Sequence, residues 1–337
     1  MTEEQLDELL STPSDLLIQD LQSLKGDILI LGVGGKMGPS LARLAVKAVK
    51  ESGQHKKVFG VSRFSDTQLR KDLEATGVIT IEADILEDNA LEGLPDASNV
   101  IYMVGRKFGT SGQEHLTWAM NAYLPGKVAE RYKNSKIVVF SSGNIYPMVP
   151  VVSGGATENT NPSPIGEYAQ SCLGRERVFQ YFSHLNKTPM LIYRLNYAVD
   201  LRYGNLLEIG EMVKSNMPID LKVGHMNVIW QGDANEIALR ALNKCNFPPE
   251  ILNVTGPETV SIKWVAKEFG RLFKTTPRFL DTISGDCLLN NASKCHHWFG
   301  YPKVSILEMI NMTAKWINEG GSKLNKPTHF QETKGNY

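Results

Sequence analysis

One segment near the N-terminus constrains the fold more than any other. Residues 27–49 read DILILGVGGKMGPSLARLAVKAV: a short apolar run, a turn with glycines at Gly32, Gly35 and Gly38, and a stretch with helical periodicity. Small residues let the chain turn sharply, approach a phosphate closely and start a helix against the preceding strand. The segment therefore predicts a strand, a turn and a helix whose N-terminus holds a dinucleotide pyrophosphate over 34–38.

Apolar strand candidates continue along the chain, separated by helical stretches. They are Val58 to Val61, Val78 to Ala83, Val100 to Val104, Ile137 to Phe140 and Met190 to Tyr193. Such alternation is typical of α/β proteins, and it predicts a Rossmann-type, doubly wound parallel sheet. In these sheets ligands bind beyond the carboxyl ends of the strands, so the residues that follow each strand are the candidates for function.

Composition narrows the class of protein without naming a partner. The 337 residues are 42% apolar, and 36 basic residues balance 36 acidic ones, so no overall field favours nucleic acid or a membrane surface. The four cysteines have neither metal-ribbon nor disulfide-scaffold spacing, and the N-terminus lacks the basic start of a signal peptide. We expect a cytoplasmic protein without nucleic-acid or membrane partners.

Residues 1–26 contain leucines at helical spacing and predict two short amphipathic helices that pack beside the first strand or at a subunit contact. The leucines concerned are Leu6, Leu9, Leu10, Leu16, Leu17, Leu21 and Leu24.

Two strand ends bear on the cofactor. After strand two, Ser62 and Arg63 stand where an acidic residue would bind the ribose hydroxyls of NAD, and a guanidinium suits a 2′-phosphate. NADP is therefore preferred and NAD is possible, although Arg63 is also compatible with a solvated charge. After strand three, Asp84 and Ile85 are placed to contact adenine, but an aspartate there is equally typical of a helix cap.

Over residues 27–318 the chain resembles the extended short-chain dehydrogenases/reductases, of the NAD(P)-dependent epimerase/dehydratase type. The motifs that carry the resemblance are GVGGKMG, ADI after strand three, Asn121, VVFSSGNIYP, EYAQSCLGRERV, YRLNYAVDLRYG, NVIWQGDANEIALRAL and LNVTGPETVSIKWVAKEF. The resemblance implies a nucleotide domain with a smaller C-terminal substrate-binding lobe, and a homodimer paired through the helices that hold Asn121 and Tyr168.

The resemblance also implies a catalytic pair. Tyr168 falls on the tyrosine of the family's Y-x-x-x-K motif and would act as the base, while Ser142 would hydrogen-bond the same substrate oxygen. The residues expected to bind the cofactor are Gly32, Gly34, Gly35, Lys36, Met37, Gly38, Ser62, Arg63, Asp84, Ile85, Val104, Gly105, Asn121, Cys172 and Asn196.

The sequence departs from the family four residues after Tyr168, where Cys172 replaces the lysine. In the family that lysine binds the nicotinamide ribose and lowers the pKa of the tyrosine, which is otherwise about 10. Arg106 and Lys107 are the first candidates to replace its charge, although a solvated basic loop explains them equally well. Cys172 itself is more typical of helix packing than of a nucleophile.

Six residues are candidates for contact with a hydroxyl-rich, carbohydrate-like small-molecule substrate. Arg106 and Lys107 lie in the loop after strand four, Asn144 follows strand five, and the second half of the chain supplies Tyr197, His225 and Trp230. Trp230 is also compatible with the core and His225 with a turn, and Arg194 follows a strand and could face the cleft. The run Cys295, His296, His297 lacks a carboxylate at metal-ligand spacing, so no metal is expected.

These interpretations define a domain plan and a function. Residues 1–26 form a helical extension, 27–195 with about 227–244 the NAD(P)-binding domain, about 196–226 with 245–318 the substrate lobe, and 319–337 a polar tail that is partly disordered or crosses to a partner subunit. We expect an oxidoreductase or epimerase that moves hydride between nicotinamide and a secondary hydroxyl of a sugar, sugar acid or related polyol. The alternative is a catalytically impaired NADP-binding sensor or scaffold.

Overall fold

Strands and helices alternate along the first 195 residues of the computed structural model, which describes residues 1–107, 109, 111–280, 285–325, 328, 330–332, 334 and 335. The helices are α1 (Glu3–Leu10), α2 (Asp15–Ser23), α3 (Gly38–Glu51), α4 (Thr67–Ala75), α5 (Glu114–Trp118), α6 (Leu124–Arg131), α7 (Gly166–Asn186), α8 (Asn205–Lys214), α9 (Gln231–Arg240), α10 (Ile262–Phe273), α11 (Ser293–Phe299) and α12 (Ile306–Asn318). A π-helical turn, Ala119–Tyr123, joins α5 to α6.

The strands are β1 (Ile28–Leu31), β2 (Val58–Ser62), β3 (Ile79–Glu82), β4 (Asn99–Tyr102), β5 (Lys136–Ser142), β6 (Val149–Pro150), β7 (Met190–Leu195), β8 (Ala198–Val199), β9 (His225–Met226), β10 (Ile229–Trp230), β11 (Glu250–Val254), β12 (Val260–Ser261) and β13 (Asp286–Cys287). Seven of them form one parallel sheet in the order β11-β7-β5-β4-β1-β2-β3, with Ile28 opposite Val58 on one side and Asn99 on the other. The predicted doubly wound parallel sheet is confirmed.

The central strands are buried on both faces, which explains their unbroken apolar sequences. In β1, Ile28 and Ile30 belong to the core beneath α3, whereas Leu29 and Leu31 belong to the core on the opposite face. Successive side chains of a strand point to opposite faces, so this one strand joins both layers of helices to the sheet.

A separate apolar core supports the second lobe. It includes side chains from α8, α10 and α12, such as Ile209, Phe269 and Ile310. The predicted lobe range 245–318 is wrong in one part, because β11 pairs in register with β7 and so forms the edge strand of the main sheet. A short edge strand is hard to assign from sequence, since its apolar pattern fits either domain.

The N-terminal helices pack on both cores. Leu17 and Leu21 of α2 lie in the core beneath α3, and Leu6 and Leu10 of α1 lie in the core of the second lobe. Two of the predicted packing leucines are exposed instead, Leu9 at 40% and Leu16 at 52%.

The described part of the C-terminal tail packs on its own chain. The Thr328 hydroxyl donates to Glu208 of α8, and Phe330 is buried in the core of the second lobe. The Gln331 amide donates to the Asp220 carbonyl at 3.0 Å. The tail is therefore better anchored than its polar composition predicts. Among the residues that the structure describes, no helix combines the length and apolar character needed to span a bilayer.

Candidate active site

The glycine turn after β1 has the backbone geometry that its sequence predicts. Gly32 has φ +92°, a conformation that other residues rarely adopt. A Cβ on Gly38 would lie 2.2 Å from the Val33 carbonyl oxygen, so only glycine lets α3 start this close to the turn. Met37 caps α3 without a side-chain hydrogen bond, so its side chain does not occupy the first backbone N–H groups. Pro39, in the first turn of α3, has no N–H to offer. This arrangement fits a pyrophosphate.

A cavity of about 340 Å³ lies beyond the carboxyl ends of β1, β2, β3 and β4. Nine of the predicted cofactor residues line it: Gly32, Gly34, Gly35, Ser62, Arg63, Asp84, Ile85, Val104 and Gly105. The side chain of Arg63 is 73% exposed and lies 3.8 Å from Asp84. Sequence reasoning missed Val61, Ser65, Ala83, Met103 and Met120, which complete the wall.

A second cavity, of about 380 Å³, adjoins the first and shares Gly35 and Gly105 with it. Its walls are Gly35, Lys36, Met37, Gly105, Lys107, Ser141, Ser142, Asn144, Tyr168, Leu195, Asn196, Tyr197, Ala198, Tyr203, Asn205 and Thr328. Amides and hydroxyls dominate this list, and they come from both lobes. The cavity therefore lies at the domain boundary, next to the proposed cofactor seat, and polar side chains from both lobes reach its wall.

Ser142 and Tyr168 meet in this second cavity. Ser142 ends β5, Tyr168 lies in the first turn of α7, and their hydroxyls are hydrogen-bonded. Burial raises the pKa of Tyr168 well above 10; the charge on Cys172 raises it further, and the Arg175 guanidinium and the Ser142 hydroxyl oppose that rise. The phenol is therefore protonated at neutral pH unless further positive charge reaches it.

Cys172 lies behind Tyr168 rather than in a cavity. Its side chain is fully buried and packs with Ile145, Tyr146 and Ala156. Burial raises the pKa of the thiol, so a thiolate is disfavoured. The predicted role in direct cofactor binding does not fit this position, because other side chains cover the sulfur.

Asn121 also lies behind the site. It is fully buried on the π-helical turn, where its amide oxygen accepts from the Arg106 N–H and from Arg175, each at 2.8 Å. Its amide nitrogen donates to the Arg106 carbonyl and to Ser171, each at 2.9 Å. Asn121 therefore holds the loop after β4 against α7 and does not itself line either cavity. Of the other predicted cofactor residues, Lys36, Met37 and Asn196 line the second cavity, and Gly38 packs against the turn.

The six predicted substrate residues divide into two groups. Lys107, Asn144 and Tyr197 line the second cavity. Arg106, His225 and Trp230 do not. Local contacts explain the difference. The Arg106 guanidinium turns back to Gly109 and Gln113, His225 of β9 pairs with Ser261 of β12, and Trp230 is buried in the core of the second lobe.

A buried network supports the end of β5 from below. Glu176 accepts from Arg194 Nε at 3.0 Å, from Arg194 Nη2 at 2.7 Å and from the Ser141 hydroxyl at 2.5 Å. Arg194 also donates to Tyr146, which donates in turn to Asn253 at 2.8 Å. Arg194 was expected near the cleft, but the structure places it inside the fold at 2% exposure. The sequence signal for this network was Arg194, a charged residue in the otherwise apolar strand β7.

Six wall residues of the second cavity were not singled out from sequence: Ser141, Leu195, Ala198, Tyr203, Asn205 and Thr328. The first four lie within motifs that carry the family resemblance, whereas Asn205 and Thr328 lie in none of them. Lys36 reaches this wall, with its ammonium 3.5 Å from the centroid of the Tyr203 ring and donating to the Ala198 carbonyl at 3.3 Å. The described residues include no cluster of three potential metal ligands.

A parallel sheet with a glycine turn at its switch point, and a hydrogen-bonded serine and tyrosine in the adjoining pocket, define a nicotinamide-dependent enzyme of the extended short-chain dehydrogenase/reductase type. Residues 28–199 match the NAD dependent epimerase/dehydratase family, and the chain belongs to that family. No curated protein sequence is similar enough to count as a match.

Solved structures confirm the fold at low sequence identity. The chain is similar to UDP-glucuronic acid 4-epimerase from Bacillus cereus in complex with NAD, with a TM-score of 0.72, 18% identity and coverage of 87% of this chain and 99% of that one. It is similar to the UDP-Glc/GlcNAc 4-epimerase from Campylobacter jejuni, with a TM-score of 0.71, 19% identity and coverage of 88% and 100%. A Thermus thermophilus UDP-glucose 4-epimerase in complex with NAD gives a TM-score of 0.68, 18% identity and coverage of 87% and 99%.

Proposed function

We propose that the protein is an oxidoreductase or epimerase that transfers hydride between a nicotinamide cofactor and a secondary hydroxyl of a carbohydrate-like substrate. The observation that carries this proposal is the hydrogen-bonded pair of Ser142 and Tyr168 beside the glycine turn. Tyr168 would take the hydroxyl proton, and Ser142 would hold the same oxygen during the transfer. A bound nicotinamide accepts the hydride from the carbon and, in an epimerase, returns it.

The cofactor would lie along the two adjoining cavities. The turn from Gly32 to Gly38 and the first amides of α3 would bind the pyrophosphate, and Asp84 and Ile85 would face the adenine. We further propose a preference for NADP. Ser62 and Arg63 line the ribose end, and the exposed Arg63 guanidinium is free to turn from Asp84 toward a 2′-phosphate.

Titration with both cofactors tests that preference. The native protein should bind NADP⁺ more tightly than NAD⁺, and Arg63→Ala should lose about tenfold to a hundredfold in NADP⁺ affinity with little change for NAD⁺. Tighter binding of NAD⁺ by the native protein would refute the preference for NADP and leave the proposed reaction untouched. The complexes of the Bacillus cereus and Thermus thermophilus epimerases contain NAD, and they therefore support NAD as the alternative cofactor.

The second cavity favours a substrate rich in hydroxyl groups. Its walls present the amides of Asn144, Asn196 and Asn205 and the hydroxyls of Tyr197 and Tyr203. We place the substrate-binding lobe over about 196–226 and 255–318, with the tail closing one wall through Thr328. The similar proteins named above act on UDP-sugars. By contrast, the two lysines of this pocket, Lys36 and Lys107, favour a small sugar acid, which is the class that we propose.

Identification of any dinucleotide released from the freshly purified, denatured protein is the first experiment. Near-stoichiometric retention favours an epimerase or dehydratase that regenerates its cofactor in place, and an empty site favours a dehydrogenase that exchanges cofactor at each turnover. Tyr168→Phe should then bind cofactor normally and lose turnover by at least a hundredfold on a panel of sugars and sugar acids. Full activity of this variant would refute the assignment of Tyr168 as the base.

The main alternative is a cofactor-binding sensor or scaffold that has lost catalysis with the motif lysine. Its support is Cys172, but that thiol is fully buried and burial raises its pKa, so it is poorly placed to sense oxidants. A scaffold would bind the dinucleotide and show no turnover in either the native protein or Cys172→Lys.

We also propose that the protein is a homodimer. Large apolar side chains are exposed on α5, the π-helical turn and α7: Trp118 at 38%, Tyr123 at 62%, Tyr181 at 63% and Leu185 at 62%. Burial of these side chains against a second copy would remove them from water. The double change Tyr181→Glu with Leu185→Glu should convert the dimer to a monomer in light scattering. A native monomer would refute the proposal.

We also propose that the protein is located in the cytoplasm. The four cysteines are unpaired in the structure, which is typical of a reducing compartment. Cell fractionation tests this assignment, and recovery of the protein from an oxidising compartment would contradict it.

A further inference from the structure

The position one turn after Tyr168 provides a thiol where an ammonium would assist the phenol. Tyr168 and Cys172 share one face of α7, since they are four residues apart. Their side chains are hydrogen-bonded in a way that favours the protonated phenol. At this position α7 therefore does not lower the pKa of Tyr168. The Arg175 guanidinium, also on α7, lowers that pKa but leaves it well above 10, so a proton acceptor at neutral pH needs further positive charge from another element.

Lys107 brings such a charge from the loop after β4. Its Nζ lies 5.7 Å from the centroid of the Tyr168 ring, and both side chains line the second cavity. The loop is held in place by its neighbour, because the Arg106 N–H and carbonyl both bond to the buried Asn121 amide. Lys107 thus has a defined position beside Tyr168, although it is far from the motif in sequence.

The other charged groups near Tyr168 have different roles. Arg175, on the same face of α7, donates to the Phe140 carbonyl and to Asn121, each at 2.8 Å, and is buried behind the site. Glu176 is committed to Arg194, and Lys36 lies against Tyr203 on another wall. Of these cations, Lys107 and Lys36 line the pocket, and Lys107 is the one that faces Tyr168.

We propose that Lys107 replaces the motif lysine, supplying from the loop after β4 the positive charge that lets Tyr168 act as a base where α7 carries Cys172. This inference rests on the proposed function. Lys107 acts through Tyr168: the substrate proton goes to the phenolate oxygen, the hydride leaves the carbon for the nicotinamide, and Lys107 keeps its own proton. Lys107 is thus a positioning residue with an electrostatic role.

The effect of Lys107 on Tyr168 should depend on pH, because the charge on Lys107 does. Burial lowers the pKa of the Lys107 ammonium to about 8, while the charge on Cys172 opposes that shift. Lys107 is thus charged at neutral pH and loses its proton just above it, so its help to Tyr168 should fade as the pH rises through about 8. Cys172, Arg175 and Ser142 shift the pKa of Tyr168, and Lys107→Arg leaves all three in place.

Three variants test the proposal: Lys107→Met removes the charge, Lys107→Arg keeps it, and Lys107→Met with Cys172→Lys returns it from the helix. At an effective dielectric constant of about 20, a unit charge about 6–9 Å from the phenol oxygen shifts its pKa by roughly one to two units. Turnover of sugar acids at pH 7 should therefore fall between about tenfold and a hundredfold in Lys107→Met. It should recover in Lys107→Arg, with the alkaline limb near pH 8 moved to higher pH, and recover at least partly in the double variant.

A second readout needs no turnover. The near-ultraviolet tyrosinate signal of the NADP⁺-bound protein, taken as the difference from the same protein with Tyr168→Phe, reports the ionisation of Tyr168 alone. The fraction of Tyr168 that is ionised between pH 7 and 8, where Lys107 still carries charge, should be smaller in Lys107→Met and return in the double variant. An unchanged fraction, or native turnover in Lys107→Met, would overturn the role of Lys107. Loss of turnover in Tyr168→Phe alongside native turnover in Lys107→Met refutes this inference alone, whereas an active Tyr168→Phe refutes the proposed function as well.

Discussion

The buried ion pair below the active site should dominate the response of the fold to a single conservative change. Glu176 is 0% exposed and Arg194 is 2% exposed, and their side chains form two hydrogen bonds at 3.0 and 2.7 Å. Glu176→Gln keeps the shape of the side chain and removes its charge. The guanidinium of Arg194 then remains in a low-dielectric interior without a counterion, which costs about 3–5 kcal/mol.

The exposed pair of Arg70 and Glu82 is a matched control, because its shortest distance is also 2.7 Å while its side chains are 36% and 59% exposed. Glu82→Gln should cost less than about 1 kcal/mol, since water already solvates both charges. Urea unfolding followed by circular dichroism gives both values. Glu176→Gln should raise the unfolding equilibrium constant by about two to four orders of magnitude.

A double change separates the cost of an unpaired buried charge from the cost of lost hydrogen bonds. Glu176→Met with Arg194→Met removes both charges, so it should be less destabilising than Glu176→Gln even though Ser141 and Tyr146 each lose a partner. Two results would refute the reasoning: a loss in Glu176→Gln as small as that in Glu82→Gln, or a double variant less stable than the single one.

Three further changes test other parts of the structure. Gly38→Ala places a Cβ 2.2 Å from the Val33 carbonyl oxygen, so it should cost about 1–3 kcal/mol and weaken dinucleotide binding in a titration; Gly93→Ala, whose Cβ meets nothing nearer than 3.8 Å, should do neither. Burial raises the pKa of Tyr132 to about 12, so the unfolded chain ionises first and stability falls by about 1.4 kcal/mol per pH unit between about 10 and 12. Tyr132→Phe should remove that part of the slope in unfolding curves, and an unchanged slope would contradict it. Phe330→Ala forfeits about 1.5–3 kcal/mol of burial, so limited proteolysis should cut the tail faster than in the native protein, and equal rates would show that other contacts hold it.

Prediction from sequence succeeded where the signal is local. The glycine turn and the five strand candidates after it follow from patterns within about ten residues, whereas the pairing of Ser142 with Tyr168 followed from the family resemblance. It failed for Trp230 and for β11, because an apolar segment fits a cleft wall, a core or an edge strand until its neighbours are known.

The sequence by itself determined the class of fold and the position of the cofactor turn, because tight turns and buried strands restrict residue type at each position. It also displayed the exchange of the motif lysine for Cys172. Only the tertiary structure decided that Lys107 faces Tyr168 while Arg106 turns away, that Glu176 and Arg194 pair beneath β5, and that the tail brings Thr328 to the pocket. These contacts join residues from different elements, so their geometry arises when the sheet, helices and second lobe pack together.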